Sequence, residues 1–306
     1  MALYSRAVVN ARHQGFCIDE IDAKQVRELV PLAGDNVLAG HFYHFGGHAN
    51  PHRTVQAFAW ALQDLGGRVM QHTTVTGFTR EGGKVIAVET DKGRFGCDHL
   101  VLAAGPQTGR LAAMLDVDIP LKVARAEMIV TEALPLMPIG GVDGNGLYGR
   151  QTLRGNLAYG GGPHEWVETE ELPGGARPST PLMQNIAKRV AELLPLAGHA
   201  RIIRSWAGLI ENTPDGRPVI DRAEGWDNLT VATLSGGRLR PVAGQRACHP
   251  AVGDGRCVLL RRLVDAPPPA FCPSGTGLGR AAGLAVAGDG NLKPGPSTAR
   301  MSVSLP

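Results

Sequence analysis

The chain has 306 residues, of which 43% are hydrophobic and 19% are charged, and its formal net charge is +3. This composition supports a folded core and excludes disorder of the whole chain. The small net charge gives no sign of binding to nucleic acid or to an anionic membrane, and no apolar run approaches the ~18 residues of a membrane span.

Length and cysteine usage narrow the class further. A chain of this length accommodates two domains of ~150 residues each. The cysteines at positions 17, 97, 248, 257 and 272 show neither CxxC nor zinc spacing. Together with an N-terminus that has no secretory signal pattern, they predict reduced thiols and a cytoplasmic protein.

The first predicted elements are the end of a helix over residues 2–13, a strand in FCIDEID and a short helix over Ala23–Val30. The segment HFYHFGGHANP is predicted to be a polar, glycine-rich loop. Pro51 then starts a helix in which Val55, Phe58, Ala59 and Leu62 form one apolar face at helical spacing. The pair Gly66-Gly67 ends this helix.

A β meander is predicted next, in which EGG and DKG turns separate RVMQHTTVTGFTRE, KVIAVETDKG and RFGCDHLVLAAG. Its last part, His99–Ala104, is an uninterrupted apolar strand, so we expect it to be buried on both faces as in a parallel sheet. A helix over Gly109–Leu115 follows.

The second half predicts strands in LKVARAEMIVTEA, GLYGRQT and NLAYGGG, and then an amphipathic helix in PSTPLMQNIAKRVAELLP. The segment ARIIRSWAGLIENTPDGRPVID predicts a strand, a Pro-Asp-Gly turn and a second strand. The strand NLTVATLSG is the last element that the sequence pattern predicts.

This order of elements resembles the FAD-dependent amino-acid and amine oxidoreductases of the D-amino-acid oxidase superfamily. The resemblance rests on HxNP before a helix, a meander that returns into LVLAAG, and SWAGLIENTPDGRPVID followed by NLTVATLSG. It covers roughly residues 1–236, and the sarcosine oxidase beta subunits, opine oxidases and glycine oxidases are the most similar groups. It implies a mixed α/β fold with a partial doubly wound FAD-binding domain and an antiparallel-sheet substrate domain.

The resemblance also implies a division of the chain. Segments of both domains are expected in 1–50, part of the FAD-binding domain in 51–115, the substrate domain in 116–200 and a return to the FAD-binding domain in 201–236. We expect residues 237–306 to be a disordered tail.

By the same resemblance, several residues are expected to lie along FAD. Val75 matches a position whose backbone meets adenine, and Ala103, Ala104 and Gly105 match a strand end where small residues let the backbone approach a ligand. Gly208, Ser235 and Gly236 complete the expected set. The alternatives are an ordinary strand valine for Val75 and a tight turn that requires glycine at Gly105.

The substrate candidates are Tyr148, Arg150, Trp206 and Ile210. Tyr148 and Arg150 alternate along one strand and share a face, although a solvent-facing pair is the alternative. Trp206 is expected near the flavin and the substrate, or else in the core. Ile210 stands where the glycine oxidase pattern has an arginine that pairs with the substrate carboxylate, so Arg150 or Arg204 is needed to substitute for it.

Histidines 41, 44, 48 and 52 cluster in one segment without a carboxylate or cysteine at ligand spacing, so we expect no metal site. Asn50 is predicted instead to cap the helix that begins at Pro51. Ser235 lacks a surrounding G-x-S-x-G, which argues against a nucleophile.

Both ends of the chain depart from the family pattern. No strand, G-x-G-x-x-G turn and helix stand at the front, where the resemblance places the pyrophosphate site, so we expect an internal or misassigned start. Residues 237–306 contain no Glu, Ile, Tyr or Trp. A shift of the reading frame by one base over Arg238–Pro250 permits a GFGLSPASGRAI-like continuation, so we expect a frameshift just after Ser235–Gly237.

The sequence therefore predicts an FAD-dependent oxidoreductase that converts the C–N bond of a secondary or D-amino acid, or a related amine, into an imine, with a partner subunit as a further expectation. The chain alone is expected to bind FAD weakly. The alternatives are a catalytically inactive fragment that only packs against a partner, and a nucleic-acid binder that rests on the basic tail alone.

Overall fold

The computed structural model describes residues 8–9, 12–13, 16–44, 47–162, 164–167, 176–234 and 297–304. Two sheet systems organise this part of the chain, a nine-stranded sheet and a pair of three-stranded sheets. No helix within it is long and apolar enough to cross a membrane.

The nine-stranded sheet is almost entirely antiparallel, with strand order β1-β2-β15-β8-β9-β10-β7-β11 and β12 paired with β7. Its strands are β1 Ile18–Asp22, β2 Ala39–Tyr43, β7 Lys122–Ala133, β8 Ile139–Gly144, β9 Leu147–Gln151, β10 Asn156–Gly161, β11 Glu165–Trp166, β12 Ile202–Asn212 and β15 Ser297–Ser304. The pairing of β15 with β8 is the parallel exception among these described strands.

One face of this sheet packs against helices α1, Ala23–Leu29, and α4, Thr180–Leu193. Helix α4 begins at Thr180-Pro181, as the Thr-Pro start predicts, and Ser179 caps it by accepting a hydrogen bond from the Leu182 backbone N–H at 3.4 Å. The apolar stripe of α4 meets the sheet in a buried cluster that includes Ile129, Leu157, Tyr159, Ile186, Val190 and Leu193. This packing fixes which side chains of the sheet point away from the helices.

The second system comprises the meander β3 Val75–Glu81, β4 Lys84–Thr90, β5 Gly93–Gly96 and the sheet β13 Val219–Arg222, β14 Leu229–Thr233, β6 Leu100–Leu102. Strands β6 and β14 are parallel. The short helix α3, Thr108–Ala113, packs with both sheets around a second buried cluster that includes Val85, Leu102, Leu111 and Leu229.

Asn228 joins the meander to the parallel pair. Its side-chain amide donates hydrogen bonds to the backbone oxygens of Val85 at 2.8 Å and Asp98 at 2.9 Å, and its side-chain oxygen accepts one from the Val85 N–H at 2.9 Å. Val85 is fully buried, so this asparagine satisfies polar groups that water does not reach.

The mixed α/β class with an antiparallel sheet is confirmed. Several local predictions need correction. His41, Phe42 and Tyr43 belong to β2 rather than to a loop, because the strand alternates buried and partly buried residues against β1. The strand predicted over His99–Ala104 is shorter, and Val101 is 56% exposed because a face of the β6 sheet is uncovered in the described part of the chain.

Helix α2, Pro51–Asp64, forms as predicted, and the side chain of Asn50 accepts a hydrogen bond from the Arg53 N–H at 3.1 Å. None of its residues is buried, and Val55, Phe58 and Leu62 of the predicted apolar face are exposed. The expectation of a disordered tail is corrected for residues 297–304, which pair with β2 and β8. The rest of residues 235–306 lies outside the described residues.

Candidate functional site

Four strands of the nine-stranded sheet align Tyr148 with Trp206. Tyr148 of β9 lies opposite Gly160 of β10, Gly160 opposite Met128 of β7, and Met128 opposite Trp206 of β12. Residues that lie opposite each other in a sheet project from the same face. Two of the predicted substrate residues, distant in sequence, therefore share one row.

A second row runs alongside the first. Arg150 lies opposite Ala158, Ala158 opposite Val130, and Val130 opposite Arg204. The residues between the two rows, Tyr159 and Ile129 among them, point the other way into the core beneath α4. We call the surface formed by Tyr148, Arg150, Met128, Trp206 and Arg204 the Arg150 face.

Gly208 and Ile210 continue this face along β12, because they lie two and four residues beyond Trp206. Trp206 is 39% exposed, so it is not the core aromatic of the alternative interpretation. A side chain added at Gly208 would meet nothing within 4 Å among the described atoms. The backbone is therefore open to close approach by a ligand at this position.

Gly160 is buried in the middle of the Arg150 face, beneath the side chains of Met128 and Tyr148. A Cβ atom added there would stand 2.7 Å from the Glu127 backbone oxygen and 3.2 Å from Cε2 of Tyr148. The tyrosine ring therefore lies over the space that a larger residue would fill. Glycine at this position therefore lets Tyr148 and Met128 pack closely across β10.

Arg150 is the main electrostatic feature of this face. Its side chain is partly buried, and this burial lowers the pKa of the guanidinium from its usual value. No hydrogen bond or ion pair joins Arg150 to another described residue, and the same holds for Arg204 in that part of the chain. A desolvated cation without a partner is unfavourable, so the site favours an anionic ligand.

The predicted cofactor residues lie at a different edge. Strands β6 and β14 are parallel, with Leu102 opposite Val231, so their carboxyl ends reach the same edge of the sheet. Ala103, Ala104 and Gly105 follow β6 directly. Gly105 has φ +55°, a left-handed conformation that glycine adopts without strain, and it begins a 3-10 turn that leads into α3.

Glu211 is a residue at this edge that the sequence reasoning did not single out. It is 6% exposed, and its Oε1 atom accepts a hydrogen bond from the Thr233 hydroxyl at 3.3 Å. Its Oε2 atom lies 3.8 Å from the place where a Gly105 Cβ would be. A buried carboxylate therefore joins the end of β12 to the ends of β6 and β14. The available signal was an acidic residue directly after the apolar run AGLI.

Val75 begins β3 and packs, together with Ala104, against the second buried cluster. The structure thus brings Val75 and the β6 end around one core, although they belong to different sheets. The other two predicted cofactor residues, Ser235 and Gly236, come one residue after the end of β14 in sequence and lie outside the described residues.

The histidine cluster has structural contacts. His44 Nε2 lies 2.7 Å from the Asp19 carboxylate, and its ring stacks edge-on against Phe42. His41 lies opposite Glu20 in the β1–β2 pair. No group of three or more His, Cys, Asp or Glu residues that could hold a metal ion is found in the described ranges.

Comparison with known proteins identifies the family of the chain. The family described as DAO, FAD dependent oxidoreductase, matches residues 2–238. Sarcosine oxidase subunit beta of Rhizobium meliloti (strain 1021) is 29% identical over 236 residues, which cover 74% of this chain and 55% of that protein. Glycine oxidase of Pseudomonas putida is 27% identical over 220 residues, covering 69% of this chain and 57% of that protein.

A solved structure shares the fold as well. L-proline dehydrogenase from P. horikoshii superposes with a TM-score of 0.68 at 23% identity, covering 75% of this chain and 62% of that chain. The chain spans little more than half the length of the curated relatives it matches. Because the family match extends over most of the sequence, the chain belongs to the DAO family of FAD dependent oxidoreductases.

Proposed function

We propose that this chain forms the substrate face and part of the cofactor site of an FAD-dependent oxidoreductase that oxidises the C–N bond of a secondary or D-amino acid, or of a related amine. The observation that carries the proposal is the Arg150 face. It combines a partly buried arginine that has no partner among the described residues with a row that contains Tyr148 and Trp206, and β12 connects it to the glycine turn at Gly105.

The residues present fit a flavin dinucleotide at that turn. Ala103, Ala104 and Gly105 lack bulk where the backbone must come close to a ligand. Thr108, fully buried at the start of α3, has a hydroxyl without a hydrogen-bond partner among the described residues. A buried polar atom of this kind is expected to be satisfied by something else, and a bound cofactor is one candidate.

The chemistry would belong to the flavin, which when bound accepts a hydride from the carbon next to the amine, so that water can hydrolyse the imine. The contribution of this chain is orientation. Arg150 would pair with the substrate carboxylate in place of the arginine that Ile210 replaces, and Tyr148 and Trp206 would flank the apolar part of the substrate. Gly208 would allow the ring to approach β12.

The division of the chain is also proposed. The second buried cluster draws its residues from 51–115 and 201–236, the segments assigned to the cofactor side. The first cluster draws most of its residues from 116–200. This distribution supports the proposed boundaries, with β12 as the strand that pairs with the substrate sheet and ends at the cofactor edge.

We further propose a change of reading frame just after Ser235–Gly237. The family match ends at residue 238, next to the proposed break. The expected glycine-rich continuation is compatible with the same bases read one position later. Sequencing the gene across this point tests the idea, and an intact single frame through it would overturn it.

The test of function is direct. The purified chain is examined for an absorbance band near ~450 nm and for turnover with sarcosine, D-proline and an opine. Flavin-dependent turnover of any of these amines supports the proposal, and turnover that is unchanged in R150Q would remove its basis. We expect the chain alone to hold FAD weakly, because the G-x-G-x-x-G spacing at residues 144–149 is a β-hairpin turn and not a strand–turn–helix.

A second candidate is a chain without activity that packs against a partner subunit. The observation that favours it is the exposed apolar side of α2, at Val55, Phe58 and Leu62. Sarcosine oxidase subunit beta is by its name one subunit of a larger enzyme. This candidate would be favoured by two results together. The purified protein would show no turnover with added FAD, and it would copurify stoichiometrically with one other polypeptide.

A further inference from the structure

The hairpin between β8 and β9 turns at an Asn-Gly pair. Asn145 has φ +50° and Gly146 has φ +70°, and Gly144 lies opposite Leu147 across the turn. Asparagine and glycine adopt such left-handed conformations more readily than other residues, which makes this pair common in two-residue hairpin turns. The local sequence therefore suits the turn, and Gly146 is exposed at its tip.

Helix α4 holds this turn through side chains near its C-terminus. Nδ2 of Asn145 donates hydrogen bonds to Oε2 of Glu192 at 2.8 Å and to the Arg189 backbone oxygen at 3.3 Å. In return, Nη1 of Arg189 donates to the Asn145 backbone oxygen at 3.0 Å. We call these three contacts the Asn145 clamp. The clamp ties the hairpin whose second strand carries Tyr148 and Arg150 to a helix on the opposite face of the sheet.

An Asn-Gly pair also undergoes a spontaneous reaction. The backbone nitrogen of Gly146 attacks Cγ of Asn145, an approach that no glycine side chain hinders. The new N–C bond closes a succinimide ring while the Cγ–Nδ2 bond breaks, and the proton of the attacking nitrogen passes through solvent to the departing ammonia. Water then opens the ring to aspartate or isoaspartate. Asn145 is the only asparagine of the sequence that precedes glycine, since the others precede alanine or a larger residue.

The Asn145 clamp controls how often the attack is possible. Ring closure requires Cγ of Asn145 to face the nitrogen of Gly146, whereas the hydrogen bonds to Glu192 and Arg189 hold the amide group towards α4. The contact with Glu192 is exposed to solvent. An exposed hydrogen bond contributes modestly to stability, so the turn opens locally without unfolding of the core.

We propose that Asn145 is a site of spontaneous deamidation, that the Asn145 clamp slows the reaction, and that the reaction abolishes the clamp permanently. Isoaspartate adds a carbon atom to the main chain of a two-residue turn. Either product replaces the N–H donor with a carboxylate beside Glu192, where like charges repel, and near the last carbonyls of α4, which are partially negative. The restraint that α4 places on Tyr148 and Arg150 is then lost.

The experiment incubates the full chain at mildly alkaline pH and follows its peptides by mass spectrometry. We expect Asn145 to gain the mass that replaces an amide by an acid, and to react faster in urea, where the clamp is absent. Glu192→Ala should accelerate the reaction of the folded chain about threefold or more, the effect of one lost hydrogen bond. Asn36 is the internal control, because it donates to the Glu192 backbone oxygen at 2.9 Å yet precedes Val37, so it should keep its amide.

Urea unfolding measures the consequence of the modification. Asn145→Asp should lower the urea midpoint, and Glu192→Gln should restore part of the loss in the double variant by removing the repelling charge. The inference is overturned if Asn145 keeps its amide in the folded chain, if Glu192→Ala leaves the rate unchanged, or if Asn145→Asp is as stable as the wild-type chain. These measurements require neither flavin nor turnover, so their outcome is independent of the proposed oxidation.

Discussion

Replacement of Asn228 by alanine should destabilise the cofactor side of the protein strongly. The side chain makes three hydrogen bonds with backbone groups of Val85 and Asp98, and it is 6% exposed. The three bonds tie the meander to the strands that hold the predicted cofactor residues. Alanine removes all of them and leaves the backbone of β14 unchanged.

The magnitude follows from the burial of the groups left behind. A buried polar group without a partner costs about 1–3 kcal/mol. The N–H of the fully buried Val85 loses the Asn228 oxygen, and its C=O keeps only the weak hydrogen bond from the Cys97 thiol at 3.6 Å. The Asp98 oxygen adds less, because that contact is only partly buried. We therefore expect Asn228→Ala to lower the free energy of unfolding by about 3 kcal/mol.

The assay is urea unfolding followed by tryptophan fluorescence. Trp226 reports on the relevant region, since its indole donates a hydrogen bond to the Leu115 oxygen at 3.1 Å and packs against the second cluster. Asn36→Ala is the control. It removes one exposed hydrogen bond, to the Glu192 oxygen at 2.9 Å, and should cost about 0.5 kcal/mol. If both variants lose the same small amount, burial does not set the cost and the reasoning fails.

Gly149→Ala should cost about 1–3 kcal/mol in urea unfolding, because the new Cβ would stand 2.6 Å from Cγ of the fully buried Tyr159 ring. Gly208→Ala should change stability by less than about 0.5 kcal/mol yet weaken FAD binding, and unchanged flavin affinity would remove Gly208 from the cofactor site. Burial lowers the pKa of His41, against an opposing contribution from Glu20. The contribution of His41 to the free energy of unfolding should therefore be constant above the pKa of an unfolded histidine, about 6.5, and fall as the pH drops below it. His41→Asn should flatten this dependence in unfolding measured at several pH values. Burial and the Asp98 charge raise the pKa of the Cys97 thiol. Near neutral pH this thiol should therefore react with a thiol reagent more slowly than glutathione does, and urea should accelerate the reaction. The rate for Cys97 is obtained as the difference between the wild-type chain and Cys97→Ser.

Local signals predicted much of the fold. The Thr-Pro start and apolar spacing of α4 depend on neighbouring residues only, and so does the alternation that places Tyr148 and Arg150 on one side of β9. The addition of Trp206 and Arg204 to the same surface depends on the register of β12 with β7, which pairs residues distant in the sequence. A pattern of neighbouring residues cannot predict which residues of β12 and β7 lie opposite each other.

The features that the sequence did not predict also depend on contacts between distant parts of the chain. Glu211 is buried because Thr233 and Gly105 lie beside it, and these residues come from two other parts of the chain. The periodicity of α2 indicates its apolar side but does not identify what packs on it. Histidines in β2 resembled a loop because polar residues interrupt the short strand.

The two-residue repeat of β12 constrains how the specificity of such a protein can change. Residues 204, 206, 208 and 210 lie on the side of the Arg150 face, the proposed substrate side, whereas 205, 207, 209 and 211 lie on the opposite side. Insertion or deletion of a single residue would exchange the two sets, exposing Glu211 and burying an arginine. New substrate preferences along this strand are therefore accessible by substitution at alternate positions, while its length must stay fixed.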